Sequence, residues 1–364
     1  MARNRLLSAL LLYPLSRLYG LGMAIRNRMF EYGILKQTEF QVPVVVVGNV
    51  AMGGTGKTPH VEYIVEALMN KYNIGVLSRG YRRSTRGFVI ATPQSRPEDI
   101  GDESYQIYRK FGPEITVAVC ENRVDGIKRM MEINPAINML ILDDAFQHRY
   151  VKPSVSIVLT EFNRPVFADN LLPYGRLRET RAALNRADIV IATKCPPGME
   201  QLEYSIFGEK LNLFPFQKLF FSHFNYGHFV PVFPDEATDI PAIDTIKPDT
   251  NILVVTGVAN PKPFARFLRR NKFKVKLKRF PDHHNFTASD MAVIESRFAE
   301  IPGDDKFIAT TEKDAVRLFN NPYFPHNLKS KIFYVPIKVG FIDRGDREFI
   351  PTLEKTIRDS RLFK

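Results

Sequence analysis

The 364-residue sequence contains no tryptophan, only two cysteines, and no apolar run of the roughly 20 residues that a membrane-spanning helix needs. Cys120 and Cys195 are too few for a disulfide framework or a four-cysteine zinc module, and free thiols fit a reducing compartment. Hydrophobic residues make up 45% of the chain and charged residues 25%. These values exclude wholesale disorder, a collagen-like repeat and a polytopic membrane protein, and the length predicts two domains.

Acidic residues are outnumbered by basic ones. The chain has 51 lysines and arginines against 39 aspartates and glutamates, a net charge of +12. Such a protein usually meets a nucleic acid, an acidic lipid or a phosphorylated substrate. The sequence has no nucleic-acid-binding motif and no basic patch with interleaved aromatic residues, so we expect no nucleic-acid partner.

The N-terminal segment, residues 3–29, begins like a signal peptide, with two arginines ahead of an apolar run. Arg17 ends that run early and no A-x-A-like cleavage site follows. Apolar residues instead recur at steps of three and four, which predicts an amphipathic helix, kinked or restarted at Pro14. The stripe consists of Leu7, Leu11, Leu15, Leu18, Leu21, Ile25 and Met29. The pattern fits either an interfacial helix on an anionic membrane or an ordinary packed helix.

Residues 42–58, VPVVVVGNVAMGGTGKT, join a short β-branched run to a glycine-rich turn that ends in Gly-Lys-Thr. Helical spacing follows, and this order is the context that a phosphate-binding loop requires. In such a loop Lys57 reaches the β- and γ-phosphates and the Thr58 hydroxyl binds Mg²⁺. The first glycine of the usual pattern is Ala51 here, and a chance glycine-rich turn is the alternative. The residues predicted to hold ATP are Met52, Gly53, Gly54, Thr55, Gly56, Lys57, Thr58 and Pro59.

A second apolar strand, within residues 138–144, ends in Asp143 and Asp144. A buried strand of this kind delivers a carboxylate to Mg²⁺ at the carboxyl edge of a sheet. Neighbouring strand residues point to opposite faces, so which aspartate holds the metal directly stays open. The polar residues 147–149 follow at once, which indicates a site rather than plain surface.

The sequence lacks two motifs of other NTPases, and their absence indicates which nucleotide binds. GTPases read guanine with Asn-Lys-x-Asp, whereas here the predicted strand 189–192 ends in Thr193-Lys194-Cys195-Pro196, without the aspartate. MinD-like ATPases carry an additional lysine at the position that Met52 occupies. Both absences favour ATP, with Mg²⁺, on an ordinary phosphate-binding loop.

Three further polar clusters are candidates for function. The basic turn that begins at Arg79 could hold ATP phosphates or an anionic substrate, or be a solvated turn. Asp102 and Glu103 open a predicted helix, where carboxylates commonly serve as caps. His283 follows Asp282 in a loop and could act as a base. Zinc is not expected there, because no cysteine or spaced third ligand is near.

Strand–helix alternation predicts an α/β fold, with a doubly wound, mostly parallel sheet of the P-loop NTPase type and a second, smaller α/β domain. The strands predicted for the first sheet are 42–48, 74–78, 115–119, 138–143, 155–159 and 188–192. The predicted segments are the membrane-associating helix 1–35, the ATP-binding domain 36–215, a linker with short strands 216–250 and the smaller domain 251–364. The acceptor is expected in the cleft between the domains. The run 310–314 ends a strand and caps a helix, and we interpret it as mostly structural.

In combination these blocks resemble the tetraacyldisaccharide 4′-kinases, the kinase family of the lipid A pathway. They run in order along nearly the whole chain, and the family also departs from the usual pattern at the first glycine of the phosphate loop. Ser104 differs, since proline is expected there. The matching blocks are 14–20, 47–59, 78–81, 101–103, 142–149, 193–195, 256–261, 280–283 and 311–314.

The resemblance implies transfer of the γ-phosphoryl group of ATP to the 4′-hydroxyl of tetraacyldisaccharide 1-phosphate, which gives the 1,4′-bisphosphate precursor lipid IVA in lipopolysaccharide biosynthesis. It implies that Asp102 is the base, assisted by His283 across the cleft, with Asp282 a candidate to orient the imidazole. It also implies a peripheral or monotopic protein on the cytoplasmic face of the inner membrane, with an anionic glycolipid substrate and unknown protein partners. The other predicted site residues are Lys57 and Asp144 for catalysis; Arg79, Gln147, Thr193 and Lys194 for ATP; Asn49, Glu103, His148 and Arg149 for the acceptor; and Thr58, Asp143 and Asp144 for the metal.

Two other functions stay open on the residues alone. A soluble P-loop kinase or ligase of the dethiobiotin-synthetase type would work without detergent and without residues 1–30. A regulatory ATPase would hydrolyse ATP with no acceptor.

Overall fold

The computed structural model describes residues 2–237, 243, 246–303 and 305–362. The strands are β1 (Val44–Asn49), β2 (Ile74–Ser78), β3 (Val89–Ile90), β4 (Thr116–Val119), β5 (Met139–Asp143), β6 (Val155–Glu161), β7 (Ile189–Thr193), β8 (Lys218–Tyr226), β9 (Val230–Pro231), β10 (Asn251–Thr256), β11 (Lys274–Arg279), β12 (Lys306–Thr311), β13 (Ile332–Val335) and β14 (Ile337–Phe341). The α-helices are α1 (Ala2–Glu31), α2 (Lys57–Leu68), α3 (Pro97–Ile100), α4 (Asp102–Phe111), α5 (Arg123–Ile133), α6 (Gln201–Leu211), α7 (Lys262–Arg270), α8 (Ala288–Ala299), α9 (Glu312–Phe319) and α10 (Gly345–Leu362).

The larger sheet has the strand order β14-β8-β7-β6-β1-β5-β2-β4-β3. The strands from β8 to β4 run parallel, and β14 and β3 close the two edges antiparallel. Its central strands are largely apolar runs that are buried along their length, as expected for strands covered on both faces. The α/β prediction is confirmed, and β1 lies between β5 and β6, so the phosphate loop leaves the middle of the sheet.

The assignment of segments to the two sheets departs from the sequence interpretation in two places. The stretch 216–250, expected to be a linker with short strands, contributes the nine-residue strand β8, which lies parallel to β7 in the larger sheet. Phe220 and Phe221 pack on opposite faces of that sheet, so no polar–apolar alternation marks the strand. Within 251–364, β14 returns to the larger sheet and α10 packs on it. The exact domain boundaries stay a prediction.

The smaller sheet has the order β11-β10-β12-β13-β9, with β9 as its antiparallel edge. Helix α9 begins directly after β12, where Thr311 caps it by accepting a hydrogen bond from the backbone N–H of Asp314. The same helix packs against α4 of the larger domain. This contact brings the beginnings of α4 and α9 together.

Helix α1 is one 30-residue helix that continues through the exposed Pro14. One face packs on the larger domain: the Ser16 hydroxyl donates to the Leu171 carbonyl at 2.9 Å, the Tyr19 hydroxyl donates to the Arg178 carbonyl at 2.8 Å, and Phe30 is buried. The apolar stripe lies on the other face, where the five residues Leu11, Leu15, Leu18, Leu21 and Ile25 are each more than half exposed. Leu7 lies outside the residues whose side chains are described. No helix in the described ranges combines the length and apolarity needed to cross a bilayer.

Candidate active site

The phosphate-binding loop connects β1 to α2 and depends on two glycines in the left-handed region. Gly53 has φ +119° and Gly56, which caps α2, has φ +91°. A Cβ atom at residue 56 would lie 2.3 Å from Cζ of Phe224, closer than any side chain can tolerate. The loop therefore follows a path that glycine alone permits at residue 56, and the N-terminus of α2 that follows it is the kind of site that binds a phosphate.

Two predicted site residues lie underneath the loop. The Asn49 side-chain amide donates to the Thr55 hydroxyl at 3.0 Å, and the Thr193 hydroxyl donates to the Thr55 carbonyl at 2.9 Å. Asn49 and Thr193 are completely buried. Their positions indicate that they shape the loop, whereas the sequence interpretation assigned Asn49 to the acceptor and Thr193 to ATP.

The end of β5 carries the paired aspartates. Asp143 lies beside Val47 of β1, is nearly fully buried, and has one carboxylate oxygen, Oδ1, with no hydrogen-bond partner among the described residues. Burial, and then the charge of Asp144, raises the pKa of Asp143 to about 7. An unpaired buried carboxylate is costly unless a cation compensates it.

Asp144 has a different environment although it is the next residue. Its carboxylate lies 3.5 Å from Lys57 Nζ and accepts a hydrogen bond from Arg178 at 3.1 Å. Burial raises its pKa, but the charges of Lys57 and Arg178 outweigh burial and hold the pKa below the usual value. Its φ of +48° is uncommon for a residue other than glycine and occurs where the surroundings impose the conformation.

These residues fit a magnesium ion. The unpaired oxygen of Asp143, the ionised Asp144 and the hydroxyl of Thr58 are oxygen donors, which Mg²⁺ prefers. No group of three or more His, Cys, Asp or Glu residues in the described ranges could hold a metal by itself. In nucleotide sites Mg²⁺ takes one or two protein ligands and completes its shell with phosphates and water.

Gln147 lies beside the loop and the paired aspartates. Its side-chain amide donates to the Asn49 carbonyl at 2.8 Å, and its side-chain carbonyl accepts from Arg178 at 3.3 Å. Gln147 therefore connects β1 to the arginine that pairs with Asp144, a position consistent with its predicted place near ATP.

His148 and Arg149, the next two residues, make their contacts outside the phosphate loop. Nε2 of His148 accepts from the backbone N–H of Arg123 at 3.3 Å, and burial, followed by the charge of Arg123, lowers the pKa of His148 to about 4. Arg149 donates to the Asn27 carbonyl at 2.9 Å and lies 4.9 Å from the Phe30 ring. Arg149 thus holds α1, and its contacts do not support the predicted acceptor role.

The remaining predicted ATP residues lie at the edges of the cleft. Arg79 is exposed and borders a cavity of about 460 Å³ formed by residues 79–86 and Glu121. Lys194 has φ +57° and pairs with Glu161. The charge of Arg79 makes a small contribution to lowering the pKa of His148, after burial and the charges of Arg123 and Arg26.

Asp102 and His283 meet across the domain cleft. Asp102 is the first residue of α4, and its Oδ2 lies 3.3 Å from Nδ1 of His283, in the loop after β11. Arg317 of α9 donates from Nε to the same Oδ2 at 3.0 Å. Burial raises the pKa of Asp102, but its hydrogen bonds with His283 and Arg317 outweigh burial and lower the pKa to about 2. Asp282 is exposed, and Asp102 is the carboxylate that contacts the imidazole.

Glu103 connects the two sides of the cleft. Its carboxylate lies 2.9 Å from Lys313 Nζ, and its charge contributes to the raised pKa of Asp143. The beginning of α4 therefore faces the carboxyl end of β5, which places the candidate base and the candidate metal ligands around one cleft.

Comparison with known proteins identifies the family. The LpxK family of tetraacyldisaccharide-1-P 4′-kinases matches residues 8–358. The chain belongs to this family. It is 45% identical to a tetraacyldisaccharide 4′-kinase of Bacteroides thetaiotaomicron over 93% of this chain and 90% of that protein, and 41% identical to one of Flavobacterium johnsoniae over 92% and 93%. The solved structure of LpxK from Aquifex aeolicus in complex with ATP is 26% identical, covers 99% of both chains and has a TM-score of 0.72.

Membership of the 4′-kinase family confirms the resemblance drawn from the ordered motifs and the prediction of a kinase. The roles of individual residues stay predictions, supported by the contacts above. Three residues of the cleft were missed: Arg178, Lys313 and Arg317. Arg178 follows a Pro-Tyr-Gly turn in an Arg-x-Arg-Glu run, and the i,i+4 spacing of Lys313 and Arg317 puts both on one face of α9, so a signal existed for each.

Proposed function

We propose that this chain transfers the γ-phosphoryl group of ATP to the 4′-hydroxyl of tetraacyldisaccharide 1-phosphate. The observation that carries the proposal is a single cleft with a glycine-rich phosphate loop and Lys57 on one side and the Asp102–His283 pair on the other. Membership of the 4′-kinase family supports the substrate assignment. The excess of basic residues suits an anionic glycolipid.

On the nucleotide side, the loop N–H groups and the N-terminus of α2 cradle the phosphates, and Lys57 neutralises the β- and γ-oxygens. Thr58, Asp143 and Asp144 would hold Mg²⁺, which supplies charge neutralisation on the same oxygens. The charge of Lys57, and then the charge and hydrogen bond of Arg178, keep Asp144 ionised. The side chains thus position the γ-phosphoryl group and stabilise its charge.

On the acceptor side, Asp102 accepts the proton of the 4′-hydroxyl. The hydroxyl oxygen forms a bond to the γ-phosphorus, the bond from that phosphorus to the β–γ bridging oxygen breaks, and ADP leaves with the electron pair. Asp102 is ionised at neutral pH because its pKa is about 2. A base positioned in this way contributes about 10²- to 10⁴-fold to such a transfer.

The reaction is tested with purified protein in mild detergent, γ-labelled ATP, Mg²⁺ and tetraacyldisaccharide 1-phosphate. Label in the lipid is the expected result, and Lys57→Ala should abolish it. Label released only as inorganic phosphate, whether or not lipid is added, would favour the regulatory ATPase and reject the kinase. Transfer to a water-soluble acceptor, unaffected by omission of detergent or of residues 1–30, would favour the soluble kinase.

We also infer that the protein is peripheral, on the cytoplasmic face of the inner membrane, with α1 lying in the lipid interface. The exposed stripe from Leu11 to Ile25 lies opposite the face that packs on the larger domain, so the fold leaves it open. Arg17 and Arg28 are exposed on the same helix, where they can reach anionic headgroups. An enzyme that acts on a lipid benefits from a surface that holds it at the membrane where the lipid resides.

Flotation with vesicles of phosphatidylethanolamine and phosphatidylglycerol tests this inference. Leu18→Ser with Leu21→Ser should weaken vesicle binding by about 100-fold, since each leucine contributes roughly 1.5 kcal/mol or more when it leaves water. Leu202→Ser with Ile206→Ser, two exposed apolar residues of α6, is the matched control and should float like the wild type. Unchanged flotation of the α1 variant would reject the lipid interface. A wild-type dimer that does not float, and that the α1 variant dissociates, would assign the stripe to a second copy of the chain.

A further inference from the structure

Lys313 lies between an imidazole and a carboxylate on the acceptor side of the cleft. Its Nζ is 2.8 Å from Nε2 of His283 and 2.9 Å from Oε1 of Glu103. Its side chain is about one quarter exposed, so the ammonium is held within the cleft. The sequence interpretation treated the run 310–314 as a strand end and helix cap, a role that Thr311 fulfils and that leaves Lys313 unexplained.

The contact with Lys313 determines where the imidazole proton lies. An ammonium group has three donors and no acceptor, so Nε2 of His283 must be the acceptor of the 2.8 Å contact. A neutral imidazole has one N–H, which is then on Nδ1 and points to Oδ2 of Asp102 at 3.3 Å.

Nδ1 by itself leaves the tautomer ambiguous. It lies close to an acceptor, Oδ2 of Asp102, and also 3.0 Å from the NH2 group of Arg317, which is a donor. If Nδ1 accepted from Arg317, the proton would be on Nε2 and would face the ammonium of Lys313. The contact with Lys313 therefore favours protonated Nδ1, with Arg317 bonded to the carboxylate through its Nε at 3.0 Å.

We propose that Lys313 is a positioning residue that holds His283 as the neutral tautomer with its proton on Nδ1. The Nδ1–H group donates to Oδ2 of Asp102 and fixes the carboxylate. Among the residues described, the hydrogen bonds to Asp102 all end on Oδ2, so Oδ1 is the oxygen available to the 4′-hydroxyl. The catalytic consequence rests on the proposed function, whereas the tautomer does not. A correctly held histidine tautomer is also required in aspartate–histidine pairs where the histidine itself is the base.

The other groups that face His283 leave Lys313 as the partner of Nε2. Asp102 and Arg317 are at Nδ1, and Glu103 reaches the ring only through Lys313. From the loop after β2, the Tyr81 ring is 5.3 Å away edge-on, and Arg82 donates to the backbone carbonyl of His283 at 3.2 Å. Removal of the ammonium therefore frees Nε2 to take a proton.

The test is ¹⁵N NMR of histidine-labelled protein, with the His283 signals assigned by their loss in His283→Gln. In the wild type at neutral pH, Nδ1 should be protonated and Nε2 unprotonated. Lys313→Met should give protonated Nε2, while Lys313→Arg, which keeps a donor-only cation, should retain the wild-type pattern. Lys274→Met, an exposed lysine of the same domain, is the matched control. Protonated Nε2 in the wild type, or an unchanged spectrum in Lys313→Met, would overturn the proposal.

Kinetics separate positioning from simple structural support. In Lys313→Met we expect kcat to fall about 10- to 100-fold, with the KM for ATP within about twofold. Lys313→Arg should restore most of kcat. A fall in kcat with the tautomer unchanged, or one that Lys313→Arg does not restore, would assign Lys313 a structural role only. If the wild type transfers no phosphate to lipid but the spectra behave as expected, the proposed function fails and the tautomer assignment stands.

Discussion

The two sides of the cleft are built in different ways. On the nucleotide side, β1, the loop and the first turn of α2 come from one continuous stretch, and the residues that support the loop lie on the same sheet. On the acceptor side, Asp102 meets His283 across 181 residues of sequence and Arg317 across 215. Local sequence therefore specifies the phosphate loop of the first side, whereas the packing of two sheets assembles the second.

The same contrast separates two buried carboxylates. Asp143 has an unpaired oxygen and a pKa raised to about 7, because burial and Asp144 disfavour its charge. Asp102 is hydrogen-bonded to His283 and Arg317, and its pKa is lowered to about 2. Asp143 has an oxygen free to bind a cation, whereas Asp102 is already paired with the cation of Arg317. Different surroundings therefore give the two carboxylates different roles.

The largest expected effect comes from removal of the acceptor-side base. Asp102→Asn should lower kcat by about 10²- to 10⁴-fold, while ATP affinity stays within about twofold because the phosphate loop is untouched. Single-turnover assays and calorimetric titration with ATP measure the two quantities. Asp305→Asn, a well-exposed carboxylate of the smaller domain, is the control. Near-normal turnover of Asp102→Asn would remove the proposed base.

The nucleotide side should show an acid sensitivity that depends on His60. This buried residue of α2 contacts the Gly56 carbonyl and Ser222 of β8, and burial lowers its pKa from 6.5 to about 4. The unfolded chain takes up the proton near pH 6.5 and the folded chain only near pH 4. Stability is therefore complete above pH 6.5 and is lost as the pH falls, by roughly 3 kcal/mol at pH 4.

Urea unfolding of the wild type and His60→Gln between pH 4 and 8 measures this contribution. The variant should lose less stability on acidification, although it can be less stable at pH 8, where its hydrogen bonds differ. Parallel stability curves for the two proteins would contradict the assignment to His60.

Gly56→Ala should break the nucleotide side without altering the acceptor side. The new Cβ would lie 2.3 Å from the Phe224 ring. The alanine would also have to adopt φ +91°, a strained backbone conformation that costs about 1–3 kcal/mol. ATP affinity should fall by about 10- to 100-fold, measured by calorimetry. Gly208→Ala, where the added carbon has an ordinary 3.5 Å contact in α6, should leave ATP affinity unchanged. Equal affinities of the wild type and Gly56→Ala would show that the loop adapts.

The smallest effect is expected at Arg149, which the motif placed in the site and the fold places against α1. Arg149→Ala loses the hydrogen bond to Asn27 and the Phe30 contact, worth about 1–2 kcal/mol of stability. Turnover in detergent should stay within about threefold of the wild type. A loss of turnover comparable to that of Asp102→Asn, without a loss of stability, would show that Arg149 acts in the active site after all.

Sequence patterns predicted most of the core of the fold because its strands are continuous apolar runs between glycine-rich or polar turns. They missed β8, whose phenylalanines cover both faces of the sheet and hide the alternation. In the site, the loop and the two aspartates were predicted from motifs. Arg178 was not, because the turn and the Arg-x-Arg-Glu run that mark its segment do not show that its side chain reaches Asp144.

The sequence by itself determined the phosphate loop, the strand–helix order and the family, since each depends on residues that are neighbours along the chain. The tertiary structure alone decided which face of α1 packs and which stays exposed, and which residues surround Asp102. A helical period shows that Lys313 and Arg317 share a face, but not what that face meets. The packing of α4 against α9 brings Arg317 to Asp102. Groups some 200 residues apart can share a hydrogen bond only after the two sheets have folded and packed together.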